Sequence, residues 1–133
     1  MSTDKSNAEF ANNLKRLIPT SINDFPKLEL GEPYHFDHWA DDKYKAPCLY
    51  YWFSSKNGTK RHDKRVLISE IYAAFQTMQS TGSFSRASFR VYCPKSESSG
   101  RCGFVVVGRI LEALGVAAYS GRHDGFVKPT AVR

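Results

Sequence analysis

The sequence feature that most constrains the fold is an aromatic run followed directly by a tight-turn signal. Residues 48–55 read Cys-Leu-Tyr-Tyr-Trp-Phe-Ser-Ser, which is rich in residues of high β propensity. Asn57-Gly58 follows, and Asn-Gly between such segments is the strongest short-range signal for a β-hairpin. We therefore expect a strand over 48–55 and a return strand over 59–66. Because the run has no polar residue before Ser54, we expect both faces of the first strand to be covered.

Three segments have the periodicity of amphipathic helices. Apolar residues recur at three- and four-residue steps over 8–18, 67–79 and 104–114. A proline ends the first segment, and a glycine follows each of the other two. The third begins with the β-branched run 104–107, which is also compatible with a strand.

Four other segments carry weaker signals. In 34–39, aromatic residues alternate with His and Asp, which fits an edge strand or a long ordered loop. Residues 84–94 fit a strand or a short helix capped by Ser83 or Ser85, and 95–100 are expected to form a polar loop. Residues 116–127 have the pattern of a hairpin. These elements predict one α+β domain over residues 1–133, with about three helices, a small antiparallel sheet, and a disordered segment at 1–6.

Length and composition fit this interpretation. A chain of 133 residues has the usual size of one domain and can bury roughly two thirds of its unfolded surface without a disulfide or a metal. No stretch approaches the ~20 apolar residues that span a bilayer, and the polar start does not resemble a secretory signal. Three cysteines lack a disulfide-framework pattern, so we expect a cytoplasmic protein with no membrane contact.

Charge is distributed unevenly along the chain. Residues 1–55 carry six Lys or Arg and eight Asp or Glu, whereas residues 56–133 carry thirteen and five. This polarity suggests an acidic partner for the second part, although a basic surface can also serve solubility alone.

The expected elements of residues 65–129 follow one another as helix (67–79), short element (84–93), helix (103–114) and hairpin (116–127). In element order this portion resembles winged-helix DNA-binding domains. The resemblance implies that the later helix lies in the major groove and that the hairpin contacts phosphate or the minor groove. The apolar start of that helix, 104–107, departs from the pattern, because a recognition helix presents polar residues to the base edges.

A second basic group occupies residues 56–65, next to the aromatic strand. Cations beside aromatic rings suit phosphate contact combined with base stacking, although such rings more often belong to the core. We therefore predict non-catalytic nucleic-acid binding, of DNA in the first place, through the basic C-terminal two thirds. The residues predicted to contact phosphate are Lys60, Arg61, Lys64, Arg65, Arg101, Arg109 and Arg122.

Two other classes of function compete with this one. A small protein-binding module, inhibitor or adaptor fits a chain that lacks a catalytic motif. A metal-dependent nuclease is less well supported, because Asp37, Asp41, Asp42 and Asp63 form no recognisable metal motif. His35 and His38 lie three residues apart, but Cys48, Cys93 and Cys102 do not form the close pairs that are typical of a zinc site, so no metal or other cofactor is expected.

Overall fold

The computed structural model describes residues 3–29, 31–55, 57–121 and 125–129, with side chains from residue 6 onward. Within these residues the chain forms five helices, a four-stranded antiparallel sheet and a three-stranded sheet. The helices are α1 (Thr3–Leu17), α2 (Ile68–Thr81), α3 (Arg86–Tyr92), α4 (Pro94–Ser99) and α5 (Gly103–Ala113). The strands are β1 (Asp24–Phe25), β2 (Tyr34–Asp41), β3 (Pro47–Ser54), β4 (Arg61–Leu67), β5 (Ser83–Ser85), β6 (Ala118–Ser120) and β7 (Gly125–Val127). The predicted α+β class is confirmed, with two helices more than expected. Helix α1 includes residues 3–6, which were expected to belong to a disordered segment.

The predicted hairpin is formed by β3 and β4. Their register runs from Cys48 opposite Leu67 to Ser54 opposite Arg61. At the turn, Gly58 has a φ of 72°, a left-handed conformation that glycine adopts at no steric cost. The Asn57 side chain accepts hydrogen bonds from the Thr59 amide and hydroxyl, so the Asn-Gly signal has the expected local cause.

The two faces of the large sheet have different environments. Leu49, Tyr51 and Val66 point to the inner face and are fully buried. Tyr50 and Trp52 alternate with them on the outer face and remain partly exposed, so the expectation that both faces of β3 are covered was wrong. Segment 34–39 lies in β2, which pairs with both β1 and β3 and is therefore an inner strand of the sheet.

Helix α5 lies at the centre of the fold. It contacts β1 and β4 of the large sheet, β6 of the small sheet, and helices α2 and α4. All residues from Gly103 to Gly108 are buried, as are Ile110 and Leu111. Apolar burial on this scale is the main contribution that an 11-residue helix can make to stability.

Helix α4 occupies the segment that was expected to be a polar loop. Its serines accept hydrogen bonds from the outward backbone amides of β4: Ser99 Oγ from Arg65 N (3.0 Å) and Ser96 Oγ from Leu67 N (2.9 Å). The buried Glu70 carboxylate accepts hydrogen bonds from two backbone amides at the start of α4, from Lys95 N at 3.1 Å and from Ser96 N at 2.7 Å. The helix is thus held by contacts with distant parts of the chain, which a local sequence pattern does not contain.

The C-terminal elements follow in the order α2, β5, α3, α4, α5, β6 and β7. The small sheet has the strand order β5-β7-β6. Segment 84–94 was open between strand and helix, and it contains both: β5 ends at Ser85, whose side chain then caps α3 through the Ser88 amide. The arms of the predicted hairpin pair as Ala118–Ser120 with Gly125–Val127.

Candidate nucleic-acid interface

The helix expected to read the major groove is not available for that role. Its N-terminal residues Gly103–Gly108 are buried against the rest of the protein. The Arg109 guanidinium donates to the carbonyls of Pro26 (2.8 Å) and Lys27 (3.2 Å) and pairs with Glu112 Oε1 at 2.7 Å. Arg109 therefore attaches α5 to the segment after β1, and α5 presents no polar row to a groove.

The predicted basic residues of β4 are divided between the two faces of the sheet. Arg61 and Arg65 lie on the outer face with Trp52 and Tyr50, whereas Lys64 lies opposite the buried Tyr51 on the inner face. This separation follows from the two-residue period of a strand.

Both outer-face arginines of β4 are engaged in ion pairs. Arg65 Nε lies 3.1 Å from Asp42 Oδ2, and its Nη1 donates to the Lys95 carbonyl at 3.2 Å. The Asp42 carboxylate accepts a hydrogen bond from the Ala46 amide, and this bond is the main reason that the pKa of Asp42 is lowered. The hydrogen bond from Arg65 lowers the pKa further. Arg61 pairs with Asp37 (3.1 Å) and Asp63 (2.9 Å). These cations are therefore largely neutralised within the fold.

The aromatic rings of the outer face stack on one another across the strands. The His35 and Trp52 ring centroids are 4.5 Å apart, and His38 lies parallel to Tyr50 at 4.8 Å. The Arg61 guanidinium lies 4.5 Å from the Trp52 ring centroid. Cross-strand pairs of this kind stabilise a sheet, and on this face the Trp52 ring has both His35 and Arg61 against it.

Five other cations lie on the inner face of β4 or on segments next to that face. We call this group the cationic surface, and it consists of Lys27, Lys60, Lys64, Arg86 and Arg101. The Lys64 stem and the Cys102 thiol both lie against Gly100, each 3.1 Å from the position where a Cβ would stand. Cys102 is also 3.2 Å from the Tyr51 hydroxyl, so the turn that carries Arg101 is held against the inner face.

A row of three rings links this group. Tyr34 meets Phe53 edge to face at 5.3 Å, and Phe53 stacks on His62 at 5.0 Å. Lys27 Nζ lies 5.4 Å from the Tyr34 ring centroid. Lys60 immediately precedes β4 and lies two residues before His62 in the chain.

Arg86 is the first residue of α3. Its guanidinium lies 4.7 Å from the ring centroid of buried Phe104. Burial raises the pKa of the Tyr34 phenol, the Cys102 thiol adds to this rise, and the Arg86 guanidinium opposes it. Arg86 is thus within electrostatic reach of Tyr34.

None of these five cations has a carboxylate oxygen within 4.0 Å in the described part of the chain. The Lys60, Arg86 and Arg101 side chains are exposed, and those of Lys27 and Lys64 are half-buried. The cationic surface therefore retains its positive charge, in contrast to the outer face.

The predicted phosphate-contacting residues thus fall into three sets. Lys60, Lys64 and Arg101 belong to the cationic surface, Arg61, Arg65 and Arg109 are engaged elsewhere, and Arg122 lies outside the described residues. Sequence reasoning did not include Lys27, His62 and Arg86. Alternation along β4 is a signal that would have grouped His62 with Lys60 and Lys64, whereas Lys27 and Arg86 are brought in by the tertiary fold alone.

Groups that an enzyme would use do not converge in the described residues. His35 and His38 each contact an aspartate, at 2.8 and 3.2 Å, and no three His, Cys, Asp or Glu side chains are placed to hold a metal ion within the described ranges. Burial raises the pKa of Cys48 to about 11 and that of Cys93 to about 12, so neither thiol is activated as a nucleophile. No helix in the described ranges is long and apolar enough to cross a bilayer.

Comparisons with known proteins do not assign a class to this chain. No family model matches the sequence, and no curated protein or solved structure matches it either. The function is therefore inferred from the geometry of the site.

Proposed function

We propose that the protein binds nucleic acid without catalysis, through the cationic surface. The observation that carries this proposal is that five cations without carboxylate partners in the described residues lie on or beside the face that carries the row of rings; Lys27 lies over Tyr34, the first ring, and Lys64 lies two residues from His62, the last. Cations that are not neutralised internally are free to displace the counterions of a phosphate backbone, which is the main source of affinity for nucleic acid.

The cations have distinct roles in this proposal. Exposed Lys60, Arg86 and Arg101 contact phosphates directly. Lys64, held against Gly100, and Lys27, held over Tyr34, have less freedom to move. Their phosphate contacts fix the position of the nucleic-acid backbone along the row of rings. The predicted winged-helix resemblance carries no part of this proposal, because α5 takes no part in the proposed contact.

The proposed location is the cytoplasm. The three cysteines are free thiols, and two of them are buried, which suits a reducing compartment.

Salt-dependent binding tests the proposal. We would titrate fluorescently labelled random single-stranded and duplex DNA by anisotropy between 50 and 200 mM salt. The affinity is expected to fall steeply with salt. Lys64→Gln and Arg86→Gln should each reduce the slope of log K against log salt by about 0.7–0.9, because each removes one phosphate contact.

Arg61→Gln is the matched control for these variants. It removes the same unit charge from the same strand, but from the outer face, where Arg61 is already paired with two aspartates. Its slope should equal that of the unmodified protein. No binding at 50 mM salt would overturn the proposal, as would an Arg61→Gln effect equal to that of Lys64→Gln.

A protein-binding role is the second candidate, and a separate observation favours it. On α3, Val91 is 67% exposed and Tyr92 is 46% exposed, beside Arg90. Exposed apolar side chains on one short helix suit a contact with a partner protein. In that case Val91→Ser would abolish partner capture in cell extract and leave nucleic-acid binding unchanged. Capture that survives Val91→Ser would remove α3 from consideration.

A further inference from the structure

We infer that the ligand of the cationic surface is a single strand, and that one of its unpaired bases stacks on the His62 imidazole; this inference rests on the proposed function. His62 is the last ring of the row that crosses β2, β3 and β4, and β4 is the edge strand of the sheet. One face of the imidazole meets Phe53. In the described part of the chain no second ring covers the other face.

The imidazole is half-buried and has no hydrogen-bond partner or ion pair in the described residues. A histidine held by its neighbour on one face, with no second ring against the other in the described residues, offers a firm platform for a base. The outer-face histidines differ, because His35 and His38 are each bound to an aspartate.

The positions of the neighbouring lysines match a strand that passes over this ring. Lys60 and Lys64 lie two residues to either side of His62, and alternate residues on a strand are about 6.8 Å apart. A base on the imidazole would thus have Lys64 on one side along β4 and Lys60, just before the strand begins, on the other, where its flanking phosphates run. Aromatic platforms combined with a basic track are typical of single-strand binding without strict sequence preference.

A duplex lacks the feature that this arrangement recognises. Paired bases are stacked within the helix and expose their edges only, so they cannot lie flat on a ring of the protein. Reading those edges requires an element that enters a groove, and α5 is buried along Gly103–Gly108. The row of rings therefore favours unpaired bases over duplex.

The experiment compares four labelled ligands of equal length: single-stranded DNA, single-stranded RNA of the same sequence, duplex DNA, and an abasic single strand. The abasic strand keeps the phosphates and removes the bases. The full chain is measured with His62→Ala, with His62→Trp, which keeps an aromatic ring, and with His38→Ala. The last variant is the matched control, because His38 also stacks on a cross-strand ring, but on the outer face.

We expect His62→Ala to weaken binding of the base-carrying strands at least fivefold and to leave abasic binding unchanged. His62→Trp should bind the base-carrying strands with the affinity of the unmodified protein, because it keeps a ring at this position. His38→Ala should leave this affinity unchanged. A difference between the DNA and RNA arms would identify which sugar the site accepts. Equal affinity for duplex, abasic and single strands, unaltered by His62→Ala, would overturn this inference and leave the proposed function intact. The absence of binding to all four ligands would overturn both.

Discussion

Gly108→Ala tests the contact on which the packing of the C-terminal sheet depends. Gly108 is buried in α5, and a Cβ at this position would come within 3.0 Å of three ring carbons of Phe126 in β7. The Phe126 ring is fully buried and is confined by Phe104 and Tyr119, each at 5.5 Å between centroids. The ring therefore has little room to move away from a methyl group.

Two opposing effects set the magnitude for Gly108→Ala. Overpacking of a well-filled core costs about 1–3 kcal/mol. Alanine in place of glycine inside a helix contributes about 1 kcal/mol in the other direction. We expect a net loss of about 1 kcal/mol in the free energy of unfolding. In a Phe126→Leu background the clash is relieved, so the same substitution should stabilise by about 1 kcal/mol.

Urea denaturation of the four proteins in this cycle measures the coupling between Gly108 and Phe126. The expected coupling is about 2 kcal/mol, with a change of sign between the two backgrounds. If Gly108→Ala stabilised both backgrounds equally, the Phe126 ring would not lie against α5, and the position of the small sheet would be refuted.

Three further predictions concern buried polar groups and thiols. Glu70→Gln should destabilise by about 1–3 kcal/mol in urea denaturation, because each carboxylate oxygen accepts one backbone amide of α4 and the substitution turns one of these oxygens into an NH2 donor; an unchanged midpoint would contradict the cap. Asp42→Asn should be less stable than the unmodified protein at pH 7. Because the folded pKa of Asp42 is lowered, this difference should begin to shrink as the pH falls through about 4 and should vanish only below the folded pKa; a constant difference down to pH 2 would contradict the cause given. Alkylation of the native protein at pH 8, followed by mass spectrometry, should modify half-buried Cys102 before Cys48 and Cys93, and the reverse order would contradict the burial of the latter two.

The parts of the fold that the sequence predicted are those with local causes. Two adjacent residues, Asn57 and Gly58, determine the conformation of the β3–β4 turn. Helices α2 and α5 each have an apolar periodicity within their own sequence. The segment 94–99 has no apolar period. Helix α4 forms there because the Glu70 carboxylate accepts hydrogen bonds from its first amides, and its serine hydroxyls accept hydrogen bonds from the amides of β4. Such contacts join residues about 25–35 positions apart, so a reading of neighbouring residues misses them.

The candidate site was predicted in part for a similar reason. Counting positive charges found Lys60 and Lys64, but it also selected Arg65, whose partner Asp42 is 23 positions away. Once the hairpin is predicted, the alternation of side chains along β4 follows from the sequence, and it places Lys64 and Arg65 on opposite faces of the sheet. The pairing of Arg65 with Asp42 depends on how the β2–β3 turn folds back, and this geometry has no sequence signature.

The serine hydroxyls of α4 have a consequence for the behaviour of the protein in a crowded solution. A strand at the border of a sheet offers a row of amides to which a foreign strand can attach, and such attachment starts domain exchange and fibril growth. Ser96 and Ser99 occupy two of those amides on the half of β4 nearest α2. A six-residue helix thus takes the place that a further strand would occupy along this half of β4, and it withholds these two amides from a foreign strand.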